Sequence, residues 1–562
     1  MIRKSKKWVA AALLAIAAPS IFAAGDSPKV SQEAAMVQNI ELFNSLYKEL
    51  VSRYVDTVDT KKAIRTAIDG LLYNLDPYTT FIPEEDTEDF ESMTTGEYGG
   101  IGSVIMQSKT DGVVISEPYE GSPAALAGLR PGDRIIMVDG DSTVDWTTSK
   151  VSSRLKGLPN TTVKVVVDRP YVADSILTFS IVRKKVQLPS VPYYYMLDGG
   201  LGYIPLTTFN TSSPDEVRTA LLELKKDKNL KAIVLDLADN GGGVMQSAIQ
   251  IANLFVDKNT EIIRTKGRTA NQEQIYKTTQ KPVDTKIPLF VIISGGSASA
   301  SEITAGAMQD LDRAVIVGQR SFGKGLVQTS VPLGNGDNLL KLTTQKYYLP
   351  SGRLIQAIDY SRRNEDGSVK PIPDSLTNVF YTRNHREVRD GGGIQPDIKL
   401  EQPELNRLIF NIVIDNWAFN FATKYAAEHK TIPAAADFEI TDTIFNEFKR
   451  FINPDKFNYD KVCETGLKQL RKTAETEGYM NDSTKVVFDQ LEKLLKHDLY
   501  QDLDKNRKEI SDVLAAELLK RYYFQQGNIV YRNKRSKEIE AIREVMAKPG
   551  EYERILSGKK EK

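Results

Sequence analysis

A short run of alternating serine and alanine, Ser-Ala-Ser-Ala-Ser-Glu at residues 297–302, separates two segments of different pattern. The apolar residues 288–293 before it are typical of a buried strand, and the alanine-rich residues 302–308 after it are typical of a helix. The pattern predicts a strand-to-helix turn that exposes a hydroxyl. Because the first N–H groups of a helix lack partners within it, they can stabilise a developing negative charge. The turn therefore suits a nucleophile.

A serine hydroxyl needs a base that removes its proton. The chain has only three histidines, and two of them, His429 and His497, lie in a charged C-terminal region of helical pattern. Lys324 lies between two glycines, 25 residues after Ser299 and just after the apolar residues 315–318. Lysine can act as a base where burial lowers its pKa toward neutrality, and Gln328 lies where it could orient the amine.

Each of these patches also has a purely structural interpretation. Serines often begin helices because they cap well, and Gly-Lys-Gly is common in surface turns. We expect Ser297 and Ser301 to cap or pack, and Asp310 to support the fold rather than to titrate in a reaction. The order and the combination of the patches favour a Ser-Lys site over this interpretation.

The stretch from Ser297 through Gln328 resembles the catalytic core of the C-terminal processing (tail-specific) serine proteases. The resemblance implies that Ser299 is the nucleophile, Lys324 is the general base and Gln328 holds the lysine. Upstream, residues 235–243, Leu-Asp-Leu-Ala-Asp-Asn-Gly-Gly-Gly, are similar to the family's Asp-Leu-Arg-x-Asn-Pro-Gly-Gly.

By that resemblance, the N–H groups of Gly242 and Ala300 form the oxyanion hole. The motif departs from the family pattern at two positions: Ala238 replaces the usual arginine and Gly241 replaces the common proline. Neither change removes a backbone donor, although glycine makes the loop less rigid.

The composition allows a large enzyme with several hydrophobic cores. The chain has 562 residues, of which 41% are hydrophobic, and Lys plus Arg and Asp plus Glu both count 74. Three or four domains are expected from this length, and the zero net charge gives no indication of a nucleic-acid partner. The single cysteine, Cys463, excludes an intrachain disulfide. We expect neither a metal nor a cofactor.

The N-terminus predicts export. Four basic residues between positions 3 and 7 precede an apolar run over 8–18, and the small residues 23–25 follow it. This is the pattern of a secretory signal peptide, assigned to residues 1–24, with an uncleaved anchor as the alternative. A bacterial periplasm or cell envelope is the expected location.

Residues 25–96 have the apolar spacing of helices, whereas residues 97–185 have short strand-like runs separated by glycine and proline. The second segment resembles a PDZ domain through Tyr-Gly-Gly-Ile-Gly at 98–102 and Gly-Leu-Arg-Pro-Gly-Asp at 128–133. The resemblance implies that the loop Gly99, Gly100, Ile101 and Gly102 binds a terminal carboxylate while the peptide adds as a strand. Ser103 follows where many PDZ loops carry an apolar residue.

Residues 186–400 return to an α/β pattern, and the family resemblance implies a crotonase-like protease core there. Residues 401–562 are charged and of helical pattern, and could cap the core, bind a partner or dimerise. The predicted fold class is therefore an α/β multidomain protein: a crotonase-like core, an inserted β-rich PDZ domain, and helical N- and C-terminal regions.

The function predicted from these features is an exported serine endopeptidase that captures unstructured C-terminal tails of proteins and cleaves upstream of them. Its partners are protein substrates, with a homo-oligomer through the C-terminal helices or an adaptor protein left open. The alternative is a noncatalytic PDZ peptide-binding or chaperone-like envelope protein. A crotonase-like acyl-transforming enzyme is disfavoured because no coenzyme A site is evident.

Overall fold

The computed structural model describes residues 32–109, 111–334, 336–364, 368–401, 406–457, 462–496 and 498–558. The predicted signal peptide, 1–24, lies outside the described residues. The chain divides after Asn74 into two compact units. None of the helices in the described ranges is long and apolar enough to cross a membrane.

The described part of the first unit consists of two helices, α1 (Gln32–Arg53) and α2 (Thr60–Tyr73). Asp59 caps α2, because its carboxylate accepts a hydrogen bond from the Lys62 N–H. The helices confirm the helical pattern that the sequence shows here. The predicted domain limits at 25–96, 97–185, 186–400 and 401–562 stay predictions.

The second unit begins with a turn, a short strand and a helix that lead to the glycine-rich segment. The Asp76 side chain accepts hydrogen bonds from the N–H groups of Tyr78 and Thr79 and so closes the turn. The strand is β1 (Thr80–Ile82) and the helix is α3 (Glu84–Thr95). Helix α3 ends at Gly96, which has a positive φ of 77°.

The next segment is a small β-rich domain. Its elements are β2 (Glu97–Gly100), β3 (Ser103–Ser108), β4 (Gly112–Pro118), α4 (Pro123–Ala127), β5 (Arg134–Val138), β6 (Asp141–Ser142), α5 (Thr148–Leu155), β7 (Thr162–Asp168), β8 (Ile176–Val182) and β9 (Lys184–Gln187). The main sheet has the order β3-β4-β5-β7-β8, with β6 paired to β5, while β2 pairs with β9. In β7 the residues Val163, Val165 and Val167 are buried and alternate with more exposed residues. This confirms the alternation in the sequence.

The α/β core follows. Its elements are β10 (Tyr195–Leu197), β11 (Leu201–Pro205), α6 (Ser213–Leu224), β12 (Ala232–Asp236), α7 (Met245–Ala252), β13 (Glu261–Lys266), β14 (Gln274–Lys277), β15 (Leu289–Ile293), α8 (Ala300–Asp310), β16 (Val315–Gly318), β17 (Leu326–Pro332), β18 (Leu339–Tyr348), β19 (Val379–Tyr381), β20 (Glu387–Arg389) and β21 (Ile398–Lys399).

One sheet of the core has the order β10-β11-β12-β15-β16-β21, and all its pairs except β10 with β11 are parallel. Every residue of β15 is buried, as expected for a strand covered on both faces. Helices α6, α7 and α8 contribute to the apolar cluster on one face. A second sheet has the order β1-β18-β13-β14, and β17 forms an antiparallel hairpin with β18.

The C-terminal region is helical. Its elements are α9 (Arg407–Ile414), α10 (Trp417–Glu428), α11 (Asp442–Phe451), α12 (Val462–Thr476), α13 (Asp482–Leu494), α14 (Leu499–Lys505), α15 (Arg507–Arg535), α16 (Lys537–Ala547) and α17 (Glu551–Ser557). Helix α15 is interrupted at Phe524, whose φ is 51°. Helices α9, α10, α11, α14 and α15 share an apolar core of their own.

Helices α16 and α17 cover the other face of the core sheet. Ile539, Ile542 and Val545 are buried in one cluster with sheet residues such as Phe290. The Tyr552 hydroxyl accepts from the Leu289 N–H and lies within hydrogen-bond distance of the carbonyls of Arg313 and Leu289, at 3.1 and 3.3 Å, which share its single proton. The sequence left three roles open for the C-terminal region: capping the core, binding a partner or dimerising. Its last two helices, α16 and α17, cap the core sheet.

Candidate active site

Ser299 lies at the tip of the turn between β15 and α8, as the sequence predicts. Its backbone has φ 55° and ψ −112°, which is an unfavourable conformation for a residue with a Cβ atom. The neighbouring serines have structural roles: the Ser297 hydroxyl donates to Leu237 O and the Ser301 hydroxyl donates to Asn240 O, both at 2.7 Å. Ser299 is therefore the serine of this run that is held in a strained conformation at a helix N-terminus.

The glycine-rich loop after β12 lies directly against this turn. A Cβ atom on Gly242 would lie 2.9 Å from both Ala300 N and Ser299 Cβ, so only glycine permits this approach. Asn240 anchors the loop, because its carbonyl accepts from the Ala298 N–H at 3.0 Å and its Nδ2 donates to Leu206 O at 2.6 Å. The structure thus brings together the two segments that the sequence analysis assigned to an oxyanion hole.

The two predicted oxyanion donors differ in their present bonding. The Gly242 N–H donates to Asn240 Oδ1 at 2.8 Å. In this conformation it is engaged within its own loop and does not point to a shared hole. Ala300 is the first residue of α8, where a backbone N–H has no helical partner. A substrate oxyanion would have to compete with Asn240 for the Gly242 N–H.

Glu302 connects the serine turn to the lysine loop and was not assigned a role in the sequence analysis. One of its carboxylate oxygens accepts from the N–H groups of both Ser299 and Lys324, each at 2.8 Å. The other oxygen accepts from the Ser321 hydroxyl at 2.5 Å and from the Gly323 N–H at 2.7 Å. Burial raises the pKa of Glu302, while these four donors stabilise its charged form. One buried carboxyl therefore fixes the backbone of both predicted catalytic residues.

Tyr347 adds a second connection between the same two residues. Its buried hydroxyl donates to Lys324 O at 2.8 Å and lies 3.3 Å from Ser299 O. Burial keeps its pKa well above the ordinary value, so the phenol stays neutral. In the sequence, the one indication of the role of Glu302 is its position three residues after Ser299. A glutamate at this position also occurs in an ordinary helix-capping box. Tyr347 has no comparable local signal.

Lys324 has the environment expected of a lysine base. Burial is the main factor that lowers the pKa of Lys324, to about 8, and the positive charge of Lys341 lowers it further. Glu302 and Asp76 act in the opposite direction. The Lys324 Nζ lies 4.4 Å from the centre of the Tyr78 ring. A large share of the amine is therefore neutral at mildly alkaline pH.

Gln328 occupies the cavity but has a different partner from the one predicted. It lies on β17, and its Nε2 donates to the Thr343 hydroxyl on β18 at 3.1 Å. Among the hydrogen bonds of the described residues, none joins Gln328 to the Lys324 amine. Its role in holding the lysine stays a prediction.

Ser299, Lys324 and Gln328 line one cavity of about 550 Å³ with Gly242. Further lining residues come from α3, the start of α7, α8 and the β17–β18 hairpin, among them Phe90, Met93, Met245, Ile303, Leu326 and Lys341. The wall combines apolar side chains with polar and charged ones, so it offers both apolar contacts and hydrogen-bonding groups to a substrate. The described residues contain no group of three His, Cys, Asp or Glu side chains able to hold a metal ion.

The predicted carboxylate loop of the β-rich domain is partly strand. Gly99 and Gly100 end β2, where they pair with Lys185 and Lys184 of β9, and Ile101 is buried. Gly102 has a positive φ of 76° and turns the chain into β3. The turn proper is therefore Ile101–Gly102, which begins two residues later than the predicted loop that starts at Gly99.

Comparison with known proteins identifies three families along the chain. Peptidase family S41 matches residues 200–361, the PDZ domain family matches 114–169, and the family described as probable PDZ-protease, C-terminal helical domain, matches 408–546. Along the chain, the PDZ match lies in the β-rich domain, the S41 match lies in the α/β core that follows it, and the third match lies in the helical tail.

Similar whole proteins agree with these matches. A carboxy-terminal-processing protease of Bartonella bacilliformis is 34% identical over 395 residues, which are 69% of this chain and 88% of that protein. A probable CtpA-like serine protease of Staphylococcus aureus is 30% identical over 82% of this chain and 83% of its own. Among solved structures, a photosystem II D1 C-terminal processing protease is 28% identical, with 64% of this chain and 86% of that chain covered and a TM-score of 0.35. The chain belongs to the carboxy-terminal-processing serine proteases of peptidase family S41, with a PDZ domain.

Proposed function

We propose that this serine peptidase works with a catalytic pair in which Ser299 is the nucleophile and Lys324 is the general base. The observation that carries the proposal is the shared Glu302 oxygen, which accepts from the N–H groups of both residues at 2.8 Å. Both side chains line the same cavity, and burial lowers the pKa of Lys324 to about 8. A lysine with this pKa is neutral often enough near neutral pH to remove a proton.

In the proposed reaction, each of these groups has one role. The neutral Lys324 amine takes the proton of the Ser299 hydroxyl while the serine oxygen bonds to the scissile carbonyl carbon. The Ala300 N–H and the Gly242 N–H, once released from Asn240, donate to the oxyanion. The Lys324 ammonium then gives its proton to the departing amine, which leaves an acyl-enzyme. Water then hydrolyses the acyl-enzyme, with Lys324 again acting as the base. Gln328 holds the lysine once its side-chain amide has given up its hydrogen bond to Thr343.

The β-rich domain supplies the substrate tail in this proposal. A PDZ fold recognises a chain end because its loop N–H groups bind the carboxylate and its open strand pairs with the peptide. The enzyme then acts as an endopeptidase upstream of the bound end. We assign it to the periplasm or cell envelope on the basic and apolar pattern of the first 24 residues.

We also propose a crotonase-like architecture for the core at 186–400. Its support is the run of parallel strands β11, β12, β15 and β16, connected through helices α6, α7 and α8. An oligomer or an adaptor bound through the C-terminal helices stays a prediction.

A paired digestion tests the catalytic assignment. The purified protein and its Ser299→Ala and Lys324→Ala variants are incubated with an unfolded protein that has an apolar C-terminus. Lys346→Ala is the matched control, because Lys346 is exposed on β18 beside the cavity wall. We expect cleavage by the parent and the control, and a loss of at least about 1000-fold in both other variants. Cleavage that persists in Ser299→Ala would refute the assignment and favour a different nucleophile.

A further inference from the structure

The catalytic cavity has a positive charge that its own wall does not neutralise. The described residues that line it include two lysines, Lys324 and Lys341, and no aspartate or glutamate. The buried carboxylate of Glu302, which binds the serine turn and the lysine loop, already accepts from four donors. A ligand with a negative charge would therefore meet no competing carboxylate in this wall.

Lys341 lies between two neighbouring strands. On β18 its backbone is opposite Ser330 of β17 and, on the other side, opposite Thr80 of β1. The residue is partly buried, and its charge is close enough to Lys324 to act on that amine. Because both neighbouring strands hold its backbone, Lys341 is a fixed part of the cavity wall rather than of a mobile loop.

Within the described part of the chain, the Lys341 amine has no anionic partner. It takes part in none of the hydrogen bonds and ion pairs found there, and burial lowers the pKa of Lys341 with no carboxylate acting against it. Removing a charge from water costs free energy unless an opposite charge or an acceptor compensates it. A ligand of the cavity can supply that acceptor.

The side chains around Lys341 suit a peptide that has a carboxylate. Residues two apart on a strand share a face of the sheet, and so do residues directly paired across two strands. Gln328, Ser330 and Lys341 therefore lie on one face of the β17–β18 hairpin, and all three line the cavity. The Ser330 hydroxyl is a second donor on that face. Phe90 and Met93 of α3 give the same cavity an apolar part, against which the rest of the peptide can pack.

We propose that Lys341 is a specificity-determining residue: its ammonium binds the carboxylate of an aspartate or glutamate side chain that lies close to the scissile bond of the substrate. The carboxylate accepts from the Lys341 amine and from the Ser330 hydroxyl, and charge-assisted hydrogen bonds of this kind are stronger than neutral ones. The inference rests on the proposed catalytic site at Ser299 and names a preference of that site. A free C-terminal carboxylate has the same chemistry, so the test separates the two sources.

Cleavage of paired peptides by the full chain tests the preference. The peptides span a site that the protein cuts in the unfolded substrate, are acetylated and amidated, and carry either glutamate or glutamine at one position near the scissile bond. Because kcat/KM depends on the protonation of the free enzyme, the share of neutral Lys324 cancels when the two peptides are compared in one enzyme. At one position or more, we expect the parent and Lys341→Arg to prefer glutamate about tenfold, and Lys341→Met to lose this preference.

Lys346→Met is the matched control, because Lys346 is exposed on the same strand and should leave the preference as in the parent. A parent that cleaves the glutamate and glutamine peptides equally at every position, or a preference that survives in Lys341→Met, would refute the subsite alone. A response to Lys341→Met that appears only when the glutamine peptide has a free C-terminus would assign the amine to the chain end and overturn the side-chain preference. Equal cleavage by Ser299→Ala and the parent would refute the catalytic site, and the subsite with it.

Discussion

Lys324 is acted on by charges of both signs, and this balance decides how well it serves as a base. Burial and Lys341 lower its pKa, while Glu302 and Asp76 raise it. The Tyr78 ring lies over the amine, and its hydroxyl is paired with Tyr360 at 3.2 Å. Glu302 is held by four donors and cannot move toward the amine without losing them. Lys341 is therefore the neighbour whose removal changes the electrostatics with the least disturbance of the turn.

Lys341→Met is expected to raise the pKa of Lys324, because a like charge in the same cavity disappears. The acidic limb of the pH profile of kcat/KM should move to higher pH, and activity at pH 7 should fall. Lys346→Met, on the exposed side of the same strand, should leave the limb in place. The measurement is kcat/KM between pH 6 and 10 for the three proteins. If the acidic limb of the pH profile lies at the same pH in Lys341→Met as in the parent, the Lys341 and Lys324 amines do not interact.

The sequence singles out Ser299 and Lys324 as candidates, because each lies in a local pattern of strand, turn and small residues, and the structure places both at one cavity. Their catalytic roles stay a prediction. Glu302 could not be assigned in the same way, since a glutamate at this helix position is also an ordinary cap. Its role depends on Ser321, Gly323 and Lys324, which approach it only in the folded chain. The engagement of the Gly242 N–H by Asn240 likewise depends on loop conformation, which residue types alone do not determine.

At the scale of elements, strands and helices agree with the predicted patterns where periodicity is strong. The apolar runs of β12, β15 and β16 and the alternation of β7 are all found. The partner of an amphipathic helix is harder to predict, because periodicity shows which face is buried but not against what. Helix α16 is such a case: its apolar face completes the cover of the core sheet, more than 200 residues away in sequence from β15.

Ile542→Ala tests this capping role. Ile542 is fully buried between α16 and the sheet, so truncation leaves a cavity and should cost about 2–5 kcal/mol. The midpoint of urea unfolding, followed by fluorescence, should fall. Leu494→Ala on α13 is the control, since Leu494 is 81% exposed and its truncation should change the midpoint little. Equal midpoints for the two variants would contradict the packing described.

At the scale of the whole molecule, the PDZ domain packs against the C-terminal helices. Gly132 approaches α10 so closely that a Cβ atom would lie 2.3 Å from Thr423 Cγ2. Lys109 pairs with Asp415, and Glu117 on β4 faces the charged residues Lys520 and Arg521 of α15. Burial raises the pKa of Glu117, as expected for a carboxyl covered by another domain. These contacts connect the PDZ domain to the C-terminal helical region.

Gly132→Ala is expected to loosen this contact. Gly140→Ala is the matched control, because Gly140 has a similar positive φ, 91° against 94°, but no atom within 4 Å of its Cβ position. Both variants carry the same backbone strain, and only the first creates a clash. Hydrogen exchange should therefore rise in α10 and β4 of Gly132→Ala and not in the control. Identical exchange in the two variants would show that the domains do not depend on this contact.

The central claim is that a neutral Lys324 activates Ser299. Its most direct test is the rate of acylation in single turnovers of a tailed substrate, measured between pH 6 and 10. Protonated Lys324 cannot accept a proton, so the rate should rise about tenfold per pH unit and level off above an apparent pKa near 8. Lys324→Ala should abolish both the activity and this rise of the acylation rate with pH. A limb centred near 6.5, or one that survives in Lys324→Ala, would contradict the account.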